Sequence, residues 1–127
     1  MFREKHYQVI KNLISPEMAE LGYRYLLNKR RVFNILHENK QISPFSEDYG
    51  YMNDLTVKNT WANYGDVLFD TILTEKKETI EKEIDYKLVE TYTYARLYKH
   101  GDILRRHKDR PSCQISATMF LGGEPWS

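Results

Sequence analysis

The chain has 127 residues, a formal net charge of +1 and 41% hydrophobic residues. That length suits one domain or part of one, and the near-neutral charge gives no global pull toward nucleic acid or an anionic membrane. A single cysteine, Cys113, leaves no intramolecular disulfide framework, and no run comes near the roughly 20 apolar residues of a membrane helix.

The opening MFREKHYQVI lacks the apolar stretch of a secretory signal, so a soluble, cytoplasmic protein is expected. HYQVIKNLIS reads as a short strand running into a turn. Ser15 then supplies an N-cap and Pro16 a good first helical residue. Met18, Leu21, Tyr25 and Lys29 recur at helical spacing, which predicts an amphipathic helix over 16–29 with this stripe in the core. NKRR at 28–31 reads as a solvated helix end, where cations also suit the dipole. Residues 38–61 are rich in Asn, Ser, Pro, Gly and Asp and predict a long loop with at most short strands, irregular surface rather than a lid. A second helix is expected over 64–82. Leu68, Phe69, Ile72, Leu73 and Ile80 form its stripe, and EKKETIEKE pairs opposite charges on its exposed side.

After residue 85 the period changes from helical to alternating. In YKLVETYTYARLYK, Tyr92, Tyr94, Arg96 and Tyr98 share one face of a strand, and Ala95 and Leu97 share the other. His100, Gly101 and Asp102 are turn chemistry. ILRRHKD resumes as a strand. CQISATMFL alternates again, with Ile115, Ala117, Met119 and Leu121 apolar and Gln114, Ser116 and Thr118 polar. Helices first and sheet second predict an α+β fold, with the helices packed on the face that carries those four apolar residues.

His107 and Asp109 stand two apart on one of these strands, so their side chains share a face and one metal ion could use both. Taken alone, His-x-Asp is a weak signal, more often read as a charged surface strand. The wider run is more specific: Arg96-x-Tyr98-x-x-Gly101-x-x-Leu104-x-x-His107-x-Asp109, then Arg110 and CQISATMFL. It resembles the core of the iron(II)- and 2-oxoglutarate-dependent oxygenases, in particular the prolyl-hydroxylase-like branch. The resemblance is tight over 92–121 and loose over 7–85, where the order of a strand, a helix opening at SPEM, a variable loop and a second helix is similar.

The resemblance implies a double-stranded β-helix, a jelly-roll-like barrel with N-terminal helices on its major sheet. Residues 1–85 would be the helical support and 86–127 the start of the barrel. It implies Fe(II) held by His107 and Asp109, 2-oxoglutarate as cosubstrate with Tyr98 reaching it, and ascorbate as an auxiliary reductant. The implied reaction hydroxylates a substrate, a protein (prolyl) side chain or a small molecule, with release of succinate and CO2. Imidazole and carboxylate suit Fe(II). Arg96 shares the face of Tyr98 and either meets a carboxylate or snorkels at a sheet edge.

In that family a third ligand, a later histidine, and a basic residue beyond it complete the site. Neither follows Asp109 in this chain, which ends at GGEPWS. The 127 residues are therefore expected to be the N-terminal portion of an oxygenase domain, inactive on their own, with other strands of the barrel lying outside them. His6, His37 and His100 are expected in surface or packing roles. Two other functions compete: a non-catalytic binding module on the same scaffold, and nucleic-acid or phosphate binding through Lys99, Arg105, Arg106, Lys108 and Arg110 with tyrosines for stacking. Basic side chains on both faces of one strand make no continuous patch, which counts against the last.

Overall fold

The computed structural model describes residues 2–52, 59–99 and 115–123. Among them the elements run α1 (Phe2–Lys5), α2 (Pro16–Glu38), β1 (Ala62–Tyr64), α3 (Val67–Ile84) and β2 (Tyr94–Arg96).

Helix α2 begins as its sequence dictates. The Ser15 hydroxyl accepts from the Met18 amide at 3.1 Å, and Pro16 sits where a missing amide costs nothing. It runs past the expected end at 29, because Val32, Phe33 and Leu36 continue a half-buried stripe. It stops at Asn39, whose amide and side-chain nitrogen both bond to the Ile35 carbonyl, after which Lys40 turns to φ 54°. Helix α3 starts three residues later than expected, at Val67, because the preceding residues are claimed by a strand. Its N-cap is Asp66, whose Oδ1 accepts from the Leu68 amide at 2.8 Å. It ends at Asp85 in the left-handed conformation, φ 60° and ψ 46°.

β1 and β2 form a two-stranded antiparallel sheet in the register Ala62↔Arg96, Asn63↔Ala95, Tyr64↔Tyr94. The Leu97 amide extends the ladder to the Trp61 carbonyl at 3.1 Å. On the free side of β1, Tyr51 makes an antiparallel bridge to Ala62, with both backbone bonds at 2.9 Å. The order helix, helix, strand, helix, strand differs from the expected helices-then-sheet. β1 follows directly on the stretch read as loop and ends at Tyr64, the first residue expected in the second helix, and the chain crosses through α3 before pairing back. A three-residue strand has too few positions for alternation to show, which is why composition hid it.

The buried apolar residues are Leu26, Trp61, Ala62 and Ile84. Trp61 anchors the end of the long loop. Its indole nitrogen donates to the Tyr49 carbonyl at 3.0 Å, and Gly50 lies flat against the ring at φ 97°. A Cβ there would lie 2.6 Å from the Ala62 carbonyl and inside the indole's contact distance, so only glycine fits both the angle and the space.

Several expectations change. The buried residues of α2 are Gly22 and Leu26, not Met18, Leu21 and Tyr25, which are exposed. The inner stripe is rotated by about one position, and Gly22 faces Leu121 and Phe69. Residues 7–10 form no strand. The segment runs along the end of α3 instead, held by Gln8 Nε2 donating to Glu83 Oε2 at 3.0 Å and by an edge contact of Phe2 on Tyr86. Residues 115–121 carry no strand either, and 115–120 are exposed. Of the four apolar residues expected against the helices, Leu121 alone is half-buried, beside Gly22 and Phe69. No ladder neighbour among the described residues pins that face, so alternation alone does not bury it. The double-stranded β-helix is a larger construction than these described elements. Its expected turn at 100–102 and strand through ILRRHKD lie outside the described residues.

Candidate functional site

The two faces of the small sheet differ in chemistry. Trp61 and Asn63 lie on the helix side, where Lys29 of α2 donates to Asn63 Oδ1 at 2.9 Å. Alternation places Ala62, Tyr64, Tyr94 and Arg96 on the other side, and Tyr51 joins that row through its bridge to Ala62.

On this outer face four side chains form one bonded group. Arg96 Nη1 donates to the Tyr98 hydroxyl at 3.1 Å, and Nη2 donates to the Tyr94 hydroxyl at 3.3 Å. The Tyr51 hydroxyl donates to that of Tyr94 at 3.0 Å. The guanidinium carbon stands 5.0 Å from the Tyr94 ring centroid and 5.6 Å from that of Tyr98, inside cation–π range. The Tyr51 and Tyr94 rings meet edge to face with centroids 6.5 Å apart. Ala62, between them on the central strand, is fully buried; its small side chain leaves the room in which the two rings meet. Tyr94 and Tyr98 remain open to solvent over more than a third of their surface. Among the described residues the face is thus hydroxyl-rich, carries the Arg96 guanidinium and is partly solvated. Such a face suits an anionic, oxygen-bearing ligand.

Beneath the sheet lies a second polar cluster with a different character. Asp66 Oδ2 accepts from Lys29 Nζ at 2.6 Å and from the Tyr25 hydroxyl at 2.7 Å, while Oδ1 caps α3. Burial pushes the Asp66 carboxyl up, but the bonds from Lys29, Tyr25 and the Leu68 amide, with the Lys29 charge, outweigh it and hold it below the usual value. Burial, then the hydrogen bond to Asp66 and its negative charge, push the Tyr25 phenol up to about 12. Every partner here is internal, so this cluster joins α2, β1 and α3 rather than offering a site.

Of the residues singled out in the sequence, Tyr98 and Arg96 are brought together on the outer face beside Tyr94, as alternation requires. Tyr92 stacks on Tyr64, also of the outer face, with centroids 5.2 Å apart. His107, Asp109, His100, Arg105, Arg106, Lys108 and Arg110 lie outside the described residues. His6 is exposed at φ 65°. His37 lies in the last turn of α2 with its ring 4.4 Å from that of Phe33, a packing role as expected. Lys99 Nζ donates to the Asn59 carbonyl at 2.7 Å. Among the described residues no group of three or more His, Cys, Asp or Glu could hold a metal ion, and no helix is long and apolar enough to cross a membrane.

The sequence reading missed Tyr51 and the Lys29–Asp66 pair. Tyr51 meets Tyr94 across 43 residues from within an irregular loop, where no period marks a residue. Lys29 did fall on the helical stripe, and a lysine on an otherwise apolar stripe was the available sign of a buried partner.

Comparison of the chain with protein-family models, with curated proteins and with solved structures finds no match.

Proposed function

We propose that the chain is part of an Fe(II)- and 2-oxoglutarate-dependent dioxygenase that hydroxylates an organic substrate, a protein side chain or a small molecule. The observation that carries this reading is the sequence run from Arg96 to Asp109, in which the tyrosine strand is followed by Gly101, Leu104 and His-x-Asp at the spacing of the resemblance. The chemistry of the outer face is compatible with it. A dicarboxylate needs hydrogen-bond donors and positive charge, and the Tyr98 hydroxyl with the adjoining Arg96 guanidinium supplies both.

In this reading the His107 imidazole and the Asp109 carboxylate hold the metal, each ligating in its deprotonated form, as a divalent cation requires. Tyr98 donates to a carboxylate of 2-oxoglutarate and fixes its orientation. When bound, iron and 2-oxoglutarate supply the oxidising chemistry, one atom of O2 ending in succinate and the other in the hydroxylated product. Two ligands fix an ion less firmly than three. Residues 1–127 by themselves therefore bind iron weakly and turn over little.

The test is succinate formation from 2-oxoglutarate in the presence of Fe(II), O2 and ascorbate. It is run on residues 1–127 and on a longer chain supplying a distal histidine and a basic residue. Succinate from the longer chain, abolished by His107→Ala, is the expected result. Inactivity of the longer chain with iron bound overturns the enzyme reading in favour of a non-catalytic binding module.

A further inference from the structure

We propose that Arg96 is a positioning residue for Tyr98: its guanidinium fixes the phenol hydroxyl that meets a carboxylate of 2-oxoglutarate, with Tyr94 and Tyr51 as the brace. The inference rests on the oxygenase reading and adds to it a residue outside the His-x-Asp pair.

Tyr98 stands two residues beyond the end of β2. Its hydroxyl is at the end of a long side chain and partly in water. Without a partner on its own face, that hydroxyl would sample a range of positions, and a ligand would have to bear the cost of ordering it. Arg96 removes that freedom. It is the last residue of β2, paired with Ala62, and the next amide, of Leu97, still bonds to the Trp61 carbonyl, so its Cα is held by the sheet. Its planar fork spans both neighbours, with Nη1 to Tyr98 and Nη2 to Tyr94. The rings on either side hold the plane by cation–π contact.

The brace extends to a third strand position. Tyr51 pairs with Ala62 through backbone bonds and donates its hydroxyl proton to Tyr94. The row Tyr51–Ala62–Arg96 therefore ties the loop ending at Trp61 to the orientation of Tyr98. Accepting a bond from a cation also polarises the Tyr98 O–H and strengthens it as a donor to an anion. Lysine cannot replace this arrangement, since a point charge does not bridge two hydroxyls in fixed geometry.

The test is a double-mutant cycle on residues 1–127, read by ligand-observed NMR with 2-oxoglutarate and Zn(II), which senses weak binding and requires no turnover. Arg96→Met and Tyr98→Phe are each expected to weaken 2-oxoglutarate binding by roughly tenfold or more, the range for hydrogen bonds involving charge. In the Tyr98→Phe background, Arg96→Met is expected to cost no more than about twofold further, because an interaction acting through the hydroxyl has already gone. Arg96→Lys, which keeps the stem and the charge, is expected to fall between wild type and Arg96→Met, and takes its place in the cycle if that variant does not fold. Equal losses from Arg96→Met in both backgrounds would overturn the proposal and show that Arg96 touches the ligand itself. No loss in the background that retains Tyr98 would overturn it as well. Failure of the wild-type chain to bind 2-oxoglutarate with any divalent metal overturns the oxygenase reading, and this inference with it.

Discussion

Lys29 and Asp66, 37 residues apart in the chain, meet at 2.6 Å with the Asp66 side chain only 3% exposed. The contact joins the middle of α2 to the residue that caps α3, and Lys29 also reaches Asn63 of β1. Removing the lysine leaves a buried carboxylate with a tyrosine and a backbone amide but no countercharge. Lys29→Met is therefore expected to destabilise the fold by about 3–5 kcal/mol, measured by urea denaturation. Lys29→Met combined with Asp66→Asn is expected to recover part of that loss, since the amide keeps a cap without burying a charge. An effect below about 1 kcal/mol for Lys29→Met would mean the pair is solvated.

The same cluster sets a pH dependence at both ends. Asp66 is held below its ordinary value. Its contribution is whole above the unfolded value near 3.9 and is lost as pH falls through the lower folded value. The Tyr25 phenol is raised to about 12. The folded state therefore binds more protons between an unfolded value near 10 and that point. Stability is full below the unfolded value and falls as pH rises toward the folded one. Thermal melts across pH are expected to show both declines, and Tyr25→Phe is expected to remove its share of the alkaline one. A tyrosine absorbance titration supplies the direct check: the number of late-ionising phenols should fall by one in Tyr25→Phe.

Gly50 offers a steric test of the loop anchor. Its φ of 97° and its contact with the Trp61 indole leave no room for a methyl group. Gly50→Ala is expected to cost about 2–4 kcal/mol from strain and overpacking together. Gly65 has φ 66° but open space around it, so Gly65→Ala should cost less, about 1–2 kcal/mol from backbone strain alone. Equal melting shifts for the two variants would mean that the indole moves aside.

The start of α2 was legible because its cap is local. Ser15 followed by Pro16, and a helix over the stripe from Leu68 to Ile80, depend on neighbours within one or two turns. The Tyr94–Arg96–Tyr98 face was legible for the same reason, since alternation needs only the strand itself. β1 was not, because three residues in an irregular stretch show no period, and its partner lies beyond a whole helix. The inner face of α2 was misplaced by about one residue because hydrophobicity ranks Leu21 above Gly22, whereas Gly22 is the residue that faces Leu121 and Phe69. Residues 115–121 show the converse. Their alternation is clear, yet alternation specifies only which side chains share a face, and burial depends on what is paired beside them.

The central claim concerns His107 and Asp109, and the most direct measurement is an anaerobic calorimetric titration of Fe(II) into residues 1–127 with and without 2-oxoglutarate. The account predicts one weak site per chain, tightened by 2-oxoglutarate and lost in both His107→Ala and Asp109→Ala. Iron binding that survives both substitutions, or a wild-type chain that takes up no Fe(II) even with 2-oxoglutarate present, would contradict it.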